Sequence, residues 1–63
     1  MFKYGMRLRG FSMGCQPMNG LDHAEDGGYV GTRRYHSFLF YRRELTEKEL
    51  YDYELDYLGE VEE

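Results

Sequence analysis

Apolar and polar side chains alternate over residues 2–10, at the start of the chain. Phe2, Tyr4, Met6 and Leu8 fall on one side of this alternation, and mainly basic residues fall on the other. Successive side chains of a β-strand point to opposite faces, so a period of two predicts a half-buried strand here.

A second strand is predicted over residues 34–43, R-Y-H-S-F-L-F-Y-R-R, which is rich in aromatic residues and contains no glycine or proline. It is apolar on both faces, which is typical of a central strand. Because tyrosine tolerates partial exposure better than phenylalanine, we expect Phe38 and Phe40 to face a covering helix. The opposite face of the strand then carries Tyr35, Leu39 and Tyr41.

The middle of the chain has weaker signals. Residues 12–20 contain the only proline and end in Asn19-Gly20, a pair that favours a tight hairpin turn. A short strand is then possible over residues 21–24, and the E-D-G-G run of residues 25–28 predicts another turn. The number of strands between Asn19 and Arg34 stays open.

The clearest helix signal lies near the C-terminus. Thr46 followed by Glu49 forms a capping box, and Gly59 is suited to a helix C-cap, so a helix is predicted over residues 47–58. Glu54 interrupts its apolar face, where a carboxylate is costly unless it is paired. Glu54 either reaches solvent at the edge of a small core or forms a structural pair with an arginine or a tyrosine hydroxyl; a catalytic role is the least favoured alternative.

These elements predict an α+β fold in a single domain of 63 residues. A small antiparallel sheet of two or three strands, arranged as a meander, would carry one C-terminal helix on one face. The other face would remain open as a binding surface or a dimer interface. Its candidate residues are Arg7, Arg9, Phe11, Tyr35, Leu39 and Tyr41.

Charge is divided unevenly along the chain. The net charge is −4, but residues 1–43 carry a net +4 and residues 44–63 a net −8. The two parts either complement each other internally or present two surfaces of opposite sign. The single Cys15 cannot form an internal disulfide, and the sequence shows neither a long apolar run nor the pattern of a signal peptide. We therefore expect a cytoplasmic protein with no membrane partner.

The candidate chemistry is sparse. Cys15, His23 and His36 lack the paired spacings of metal sites, and the G-G-Y-V-G run has neither the lysine nor the helix of a phosphate-binding loop. We therefore expect no metal, no cofactor and no enzymatic activity. A protein-interaction module, self-association included, is the preferred function. Nucleic-acid binding through Arg7, Arg9, Arg33 and Arg34 is the alternative, and the negative net charge opposes it.

Two blocks stand out near the ends of the chain. The first is M-R-L-R-G-F-S with G-C-Q-P, within residues 6–17, and the second ends in Y-E-L-D-Y-L-G, residues 53–59. Together they resemble a family of short uncharacterised proteins of Gram-positive bacteria, often encoded near phage or conjugative-element genes. That family has no established activity or cofactor. The resemblance implies only a context, that of an accessory protein of a mobile element.

Overall fold

A computed structural model describes residues 1–12, 14 and 16–62. The elements are β1 (Phe2–Met6), β2 (Leu21–Val30), β3 (Arg33–Tyr41), α1 (Glu47–Asp52) and β4 (Leu55–Glu60). All four strands form one antiparallel sheet in the order β2-β3-β1-β4. The predicted sheet of two or three strands with a C-terminal helix was therefore wrong. The expectations for Cys15 concern a residue outside the described ranges.

The hairpin of β2 and β3 occupies the stretch whose strand count was open. A two-residue turn, Gly31-Thr32, joins the strands, and the φ of Gly31 is +64°. A glycine in this conformation at the first turn position matches the right-handed twist of the two strands. The turn predicted over residues 25–28 was wrong, because Gly27 and Gly28 lie inside β2. Strand pairing with β3 outweighs the weak local preference of glycine for a turn.

Asn19-Gly20 forms a turn, but not the predicted hairpin. The N–H of Leu21 donates to the carbonyl of Met18 at 3.3 Å, and Gly20 has a φ of +81°. The strand that follows is not a neighbour of β1, because β3 lies between them. The loop between Met6 and Leu21 therefore crosses the sheet instead of closing a tight hairpin.

The helix begins as predicted but ends early. Thr46 is the N-cap, and its reciprocal hydrogen bonds with Glu49 confirm the capping box. The helix stops at Asp52, and Glu54 leaves it with a φ of +57°. Residues 55–60 then pair with β1, and Gly59 lies opposite Lys3 instead of capping a helix. A short helix gains little stability alone, so the hydrogen bonds offered by the edge of β1 decide the conformation.

The core lies on one face of the sheet. Its buried cluster consists of Tyr4, Met6, Leu39, Tyr41, Leu45 and Leu55. The expected orientation of β3 was therefore wrong, since Leu39 and Tyr41 are both 0% exposed within this cluster. Tyrosine can be buried in this core because each of the two buried hydroxyl groups has a hydrogen-bond partner. Tyr4 accepts from the N–H of Leu45 at 2.8 Å, and Tyr41 donates to the carbonyl of Pro17 at 2.6 Å.

Two segments cover this face. Leu45 before α1 is part of the core cluster, and Leu50 in α1 packs against it, as expected for a hydrophobic staple. The loop between β1 and β2 contributes the buried Gln16 and Pro17. Arg43 ties the two segments together, because its Nε donates to the carbonyl of Asn19 at 2.7 Å while its other nitrogens bind Glu49. The helix and the loop thus cover the same face of the sheet, the one that carries the core.

Replacing Gly27 tests the close approach of β2 and β3. A Cβ at Gly27 would overlap the backbone carbonyls of Tyr35 and His36, so Gly27→Ala should lower the free energy of unfolding by about 2 kcal/mol or more. Gly28→Ala is the matched control, since its Cβ would lie 4.0 Å from the ring of Phe38 and should change the free energy by less than about 0.5 kcal/mol. Urea unfolding measures both. Equal losses would contradict the close approach.

The capping residue Glu49 should make stability depend on acid pH. Its hydrogen bond with Arg43, followed by those with Thr46, lowers the pKa of Glu49 from 4.5 to about 2. A carboxyl with a lowered folded-state pKa contributes its full stability above pH 4.5 and loses it as the pH falls towards 2. Thermal unfolding should therefore show a weaker pH dependence in this range for Glu49→Gln than for Glu47→Gln. Identical profiles would contradict the assignment.

Candidate protein-binding surface

The second face of the sheet is covered by no helix or loop among the described residues. The strand register places on it one set of side chains, which we call the open face. Opposite residues in antiparallel strands point to the same face, and Phe40 is opposite both Lys3 and His23. The full set is Lys3, Gly5, His23, Glu25, Phe38, Phe40 and Asp56.

Aromatic rings form the centre of the open face. The ring of His23 stacks on Phe40 with centroids 4.4 Å apart and an interplanar angle of 9°. The Lys3 ammonium lies 4.3 Å from the ring centroid of Phe38 and 5.8 Å from that of Phe40. These neighbours leave Phe40 only 7% exposed, whereas Phe38 is half-buried. Phe38 is therefore the ring that a partner could still reach.

Tyr35 closes one end of this face. Its ring lies where a Cβ on Gly5 would be, and its hydroxyl donates to Asp56 at 2.7 Å. Asp56 also contacts Arg7 at 3.3 Å and Arg33 at 3.1 Å. Burial, followed by the hydrogen bond to Asp56, raises the pKa of the Tyr35 phenol above its ordinary value. One carboxylate therefore holds a tyrosine and two arginines in place.

Most of the arginines proposed for nucleic-acid contacts are engaged within the chain. Besides the two on Asp56, Arg9 donates to the Glu54 carboxylate at 2.6 Å. The backbone carbonyl of Glu54 also accepts from the Arg7 side chain at 3.3 Å. Arg34 is exposed and has no ion pair in the part of the chain that the structure describes. A structural pair with an arginine was one of the alternatives for Glu54, and Glu54 forms such a pair with Arg9. Its contacts thus connect the residues before β4 to the segment that follows β1.

The predicted binding residues do not form one surface. Arg7 and Tyr35 border the open face, Arg9 lies beyond it, and Leu39 and Tyr41 belong to the core. Phe11 is 46% exposed, but it lies towards the core side, where its N–H donates to the Ser37 hydroxyl at 3.0 Å.

The hydrophobic pattern of the sequence did not identify one surface that includes Lys3, His23, Phe38, Phe40 and Asp56. The two-sided apolar pattern of β3 indicated that Phe38 and Phe40 share a face, but it could not say which face stays open. His23 and Asp56 had no local signal, because they reach this surface through strand pairing with β3 and β1. Residues far apart in sequence become neighbours in a sheet only once the strand order is known.

Two shallow clefts lie beside the open face, and Glu25 is the one residue of that face that lines either of them. One of about 430 Å³ is lined by Arg7, Tyr51, Asp52 and Glu54. The other, of about 410 Å³, is lined by Gly10, Phe11, Ala24, Glu25, Asp26 and Ser37. Within residues 1–12, 14 and 16–62, no group of histidine, cysteine and acidic side chains converges to hold a metal ion. No helix in those ranges is long and apolar enough to cross a membrane.

Comparison with known proteins gives one family. DarA_C, described as "Defence against restriction A C-terminal", matches residues 1–60. No curated protein and no solved structure matches the chain. The family match includes all four strands, the helix and every residue of the open face. The chain therefore belongs to the DarA_C family, defence against restriction A C-terminal.

Proposed function

We propose that the chain is a protein-binding module, that it serves a phage or another mobile element in defence against restriction, and that its open face contacts the partner. Membership of DarA_C fits an accessory protein of such an element. The observation that carries the proposal is an aromatic sheet face that no helix or loop of the described chain covers. We further propose that the module acts by contact and has no enzymatic activity.

The make-up of the open face supports a protein partner. Protein interfaces typically have an aromatic or apolar centre surrounded by polar groups that keep solvent contact. Phe38 supplies a reachable ring at the centre, and Lys3 and Glu25 supply charged neighbours. The expected partner surface places an apolar side chain over Phe38 and a carboxylate near Lys3. Phe40 and Tyr35 are already buried, so they support Phe38 and do not need to move.

Direct DNA binding is the less favoured alternative. Electrostatic attraction to phosphates supplies most non-specific affinity, and it needs basic side chains that are free of other partners. Arg7, Arg9 and Arg33 each contact a carboxylate of the same chain. The net charge of −4 adds a repulsive contribution. A role in defence against restriction would then operate through protein contacts, with DNA protected indirectly.

A substitution on the open face tests the proposed contact. In an element that encodes the chain, Phe38→Lys should reduce survival on a restricting host roughly as much as deletion of the gene, because a charge replaces the reachable apolar ring. Tyr51→Lys is the matched control, since Tyr51 is 83% exposed on the helix, away from the open face, and should leave survival unchanged. The measurement is plating efficiency on restricting relative to non-restricting hosts.

Folding must be kept separate from binding in this test. Circular dichroism of purified Phe38→Lys should match the wild type, and Lys3→Glu provides a second open-face variant that removes no core side chain. Full protection by both folded variants, in an element where deletion abolishes protection, would rule out the open face as the contact surface.

The purified chain should not retard DNA. A mobility-shift assay with a short duplex at low ionic strength, where electrostatic binding is strongest, should show free DNA at all micromolar protein concentrations. A triple variant that neutralises Asp56, Glu54 and Asp22 frees the arginines that these carboxylates contact and should bind more strongly than the wild type. Retardation by the wild-type chain itself would favour the nucleic-acid alternative.

A further inference from the structure

The outer edge of β2 is a second candidate site, separate from the open face. The sheet order places β2 at one edge, where it pairs with β3 on one side only. On its other side, residues 22–30 form no backbone hydrogen bond within the described part of the chain. An edge strand of ten residues therefore presents donors and acceptors that an added strand can use.

A cleft lies beside this edge. It measures about 410 Å³, and its lining includes Phe11 from the long loop and Ala24 from β2. The hydrogen bond from Phe11 to Ser37 fixes the loop against the sheet, while 46% of Phe11 remains exposed. Alternate side chains of a strand added along β2 would point towards this cleft. An apolar side chain at such a position would contact Phe11 and Ala24.

The charge of the edge defines its partner. Asp26 is opposite Ser37, which places it on the cleft side, and it has no ion pair within the described residues. Glu25 also lines the cleft, but its carboxylate lies 3.6 Å from His23, on the open face. Asp22, in contrast, is already engaged by Arg42 at 2.7 Å. The carboxylate of Asp26 thus lies beside the cleft, in the middle of the strand, with no cation of the described chain to neutralise it.

A second copy of the chain is a poor occupant of this edge. Pairing of two β2 strands would bring the carboxylates of Glu25 and Asp26 close to those of the other copy, and like charges across strands are destabilising. A segment that places an apolar side chain over Ala24 and, two residues along, a lysine or arginine beside Asp26 complements both the cleft and the charge, because residues two apart in a strand point to the same face. We propose that the outer edge of β2 binds such an extended basic segment of another protein as an added strand.

Selection from a peptide library tests this proposal. Random displayed peptides of about ten residues, the length of β2, are selected on the immobilised full chain. The enriched peptides should carry an apolar residue and, two positions away, a lysine or arginine. On titration with an enriched peptide, amide NMR signals should shift along β2 and at Phe11. The proposal is overturned if no peptide is enriched, if basic residues are not favoured, or if the shifts map to the open face or to β4.

Matched variants identify the contacts. Asp26→Lys should weaken binding of an enriched peptide roughly tenfold or more, because attraction becomes repulsion. Glu60→Lys reverses a charge on the other edge strand and should change the affinity by less than about twofold. Phe11→Ala should weaken binding, whereas Tyr51→Ala, which truncates a residue 83% exposed at the other cleft, should not. Equal effects within either pair would refute the site.

This site and the open face can fail separately. Phe38→Lys changes only the open face, so a β2-edge peptide should bind that variant with unchanged affinity. Loss of peptide binding in Phe38→Lys would place the peptide on the open face and overturn the assignment to the β2 edge.

Discussion

The pairing of β4 with β1 is the contact on which the rest of the structure depends. β1 has only five residues, and it becomes an interior strand only because β4 lies on one side of it and β3 on the other. This position buries Tyr4 and Met6 to 1% exposure. Without β4, both residues would lie at a sheet edge, and the core would lose Leu55 as well. Burial of apolar surface is the main favourable term in folding, so a chain of this size depends strongly on such a contact.

The same pairing assembles the polar groups around the open face. It sets Asp56 opposite Gly5, where the missing side chain leaves room for the ring of Tyr35. Asp56 then engages Arg7 and Arg33. The basic N-terminal part and the acidic C-terminal part of the sequence therefore meet within the molecule. Exposed ion pairs contribute only roughly 0–1 kcal/mol each, so their main effect is to occupy arginines that could otherwise bind phosphate.

The two faces of the sheet differ because the helix and loop residues that the structure describes cover only one of them. The helix and the long loop both lie over the core face, where the hydroxyls of Tyr4 and Tyr41 find backbone partners. The aromatic rings of the other face are shielded by neighbouring side chains of the same face, such as Lys3 and His23. This asymmetry also explains the error in the orientation of β3. Exposure preferences of tyrosine and phenylalanine differ little once a buried hydroxyl is satisfied, so residue type alone could not choose the covered face.

The sequence by itself determined the features that depend on neighbours in the chain. The alternation of residues 2–6, the aromatic β3 strand and the capping box at Thr46 all appear in the structure, because each rests on local periodicity or on hydrogen bonds within one turn. The tertiary structure alone decided the conformation of residues 53–60, because the apolar spacing of this segment taken by itself suits a helix. The free edge of β1 offers that segment inter-strand hydrogen bonds and a buried site for Leu55, and these outweigh its helical preference. The tertiary structure also decided which residues share the open face, since pairing between distant strands brings together side chains that lie far apart in the sequence.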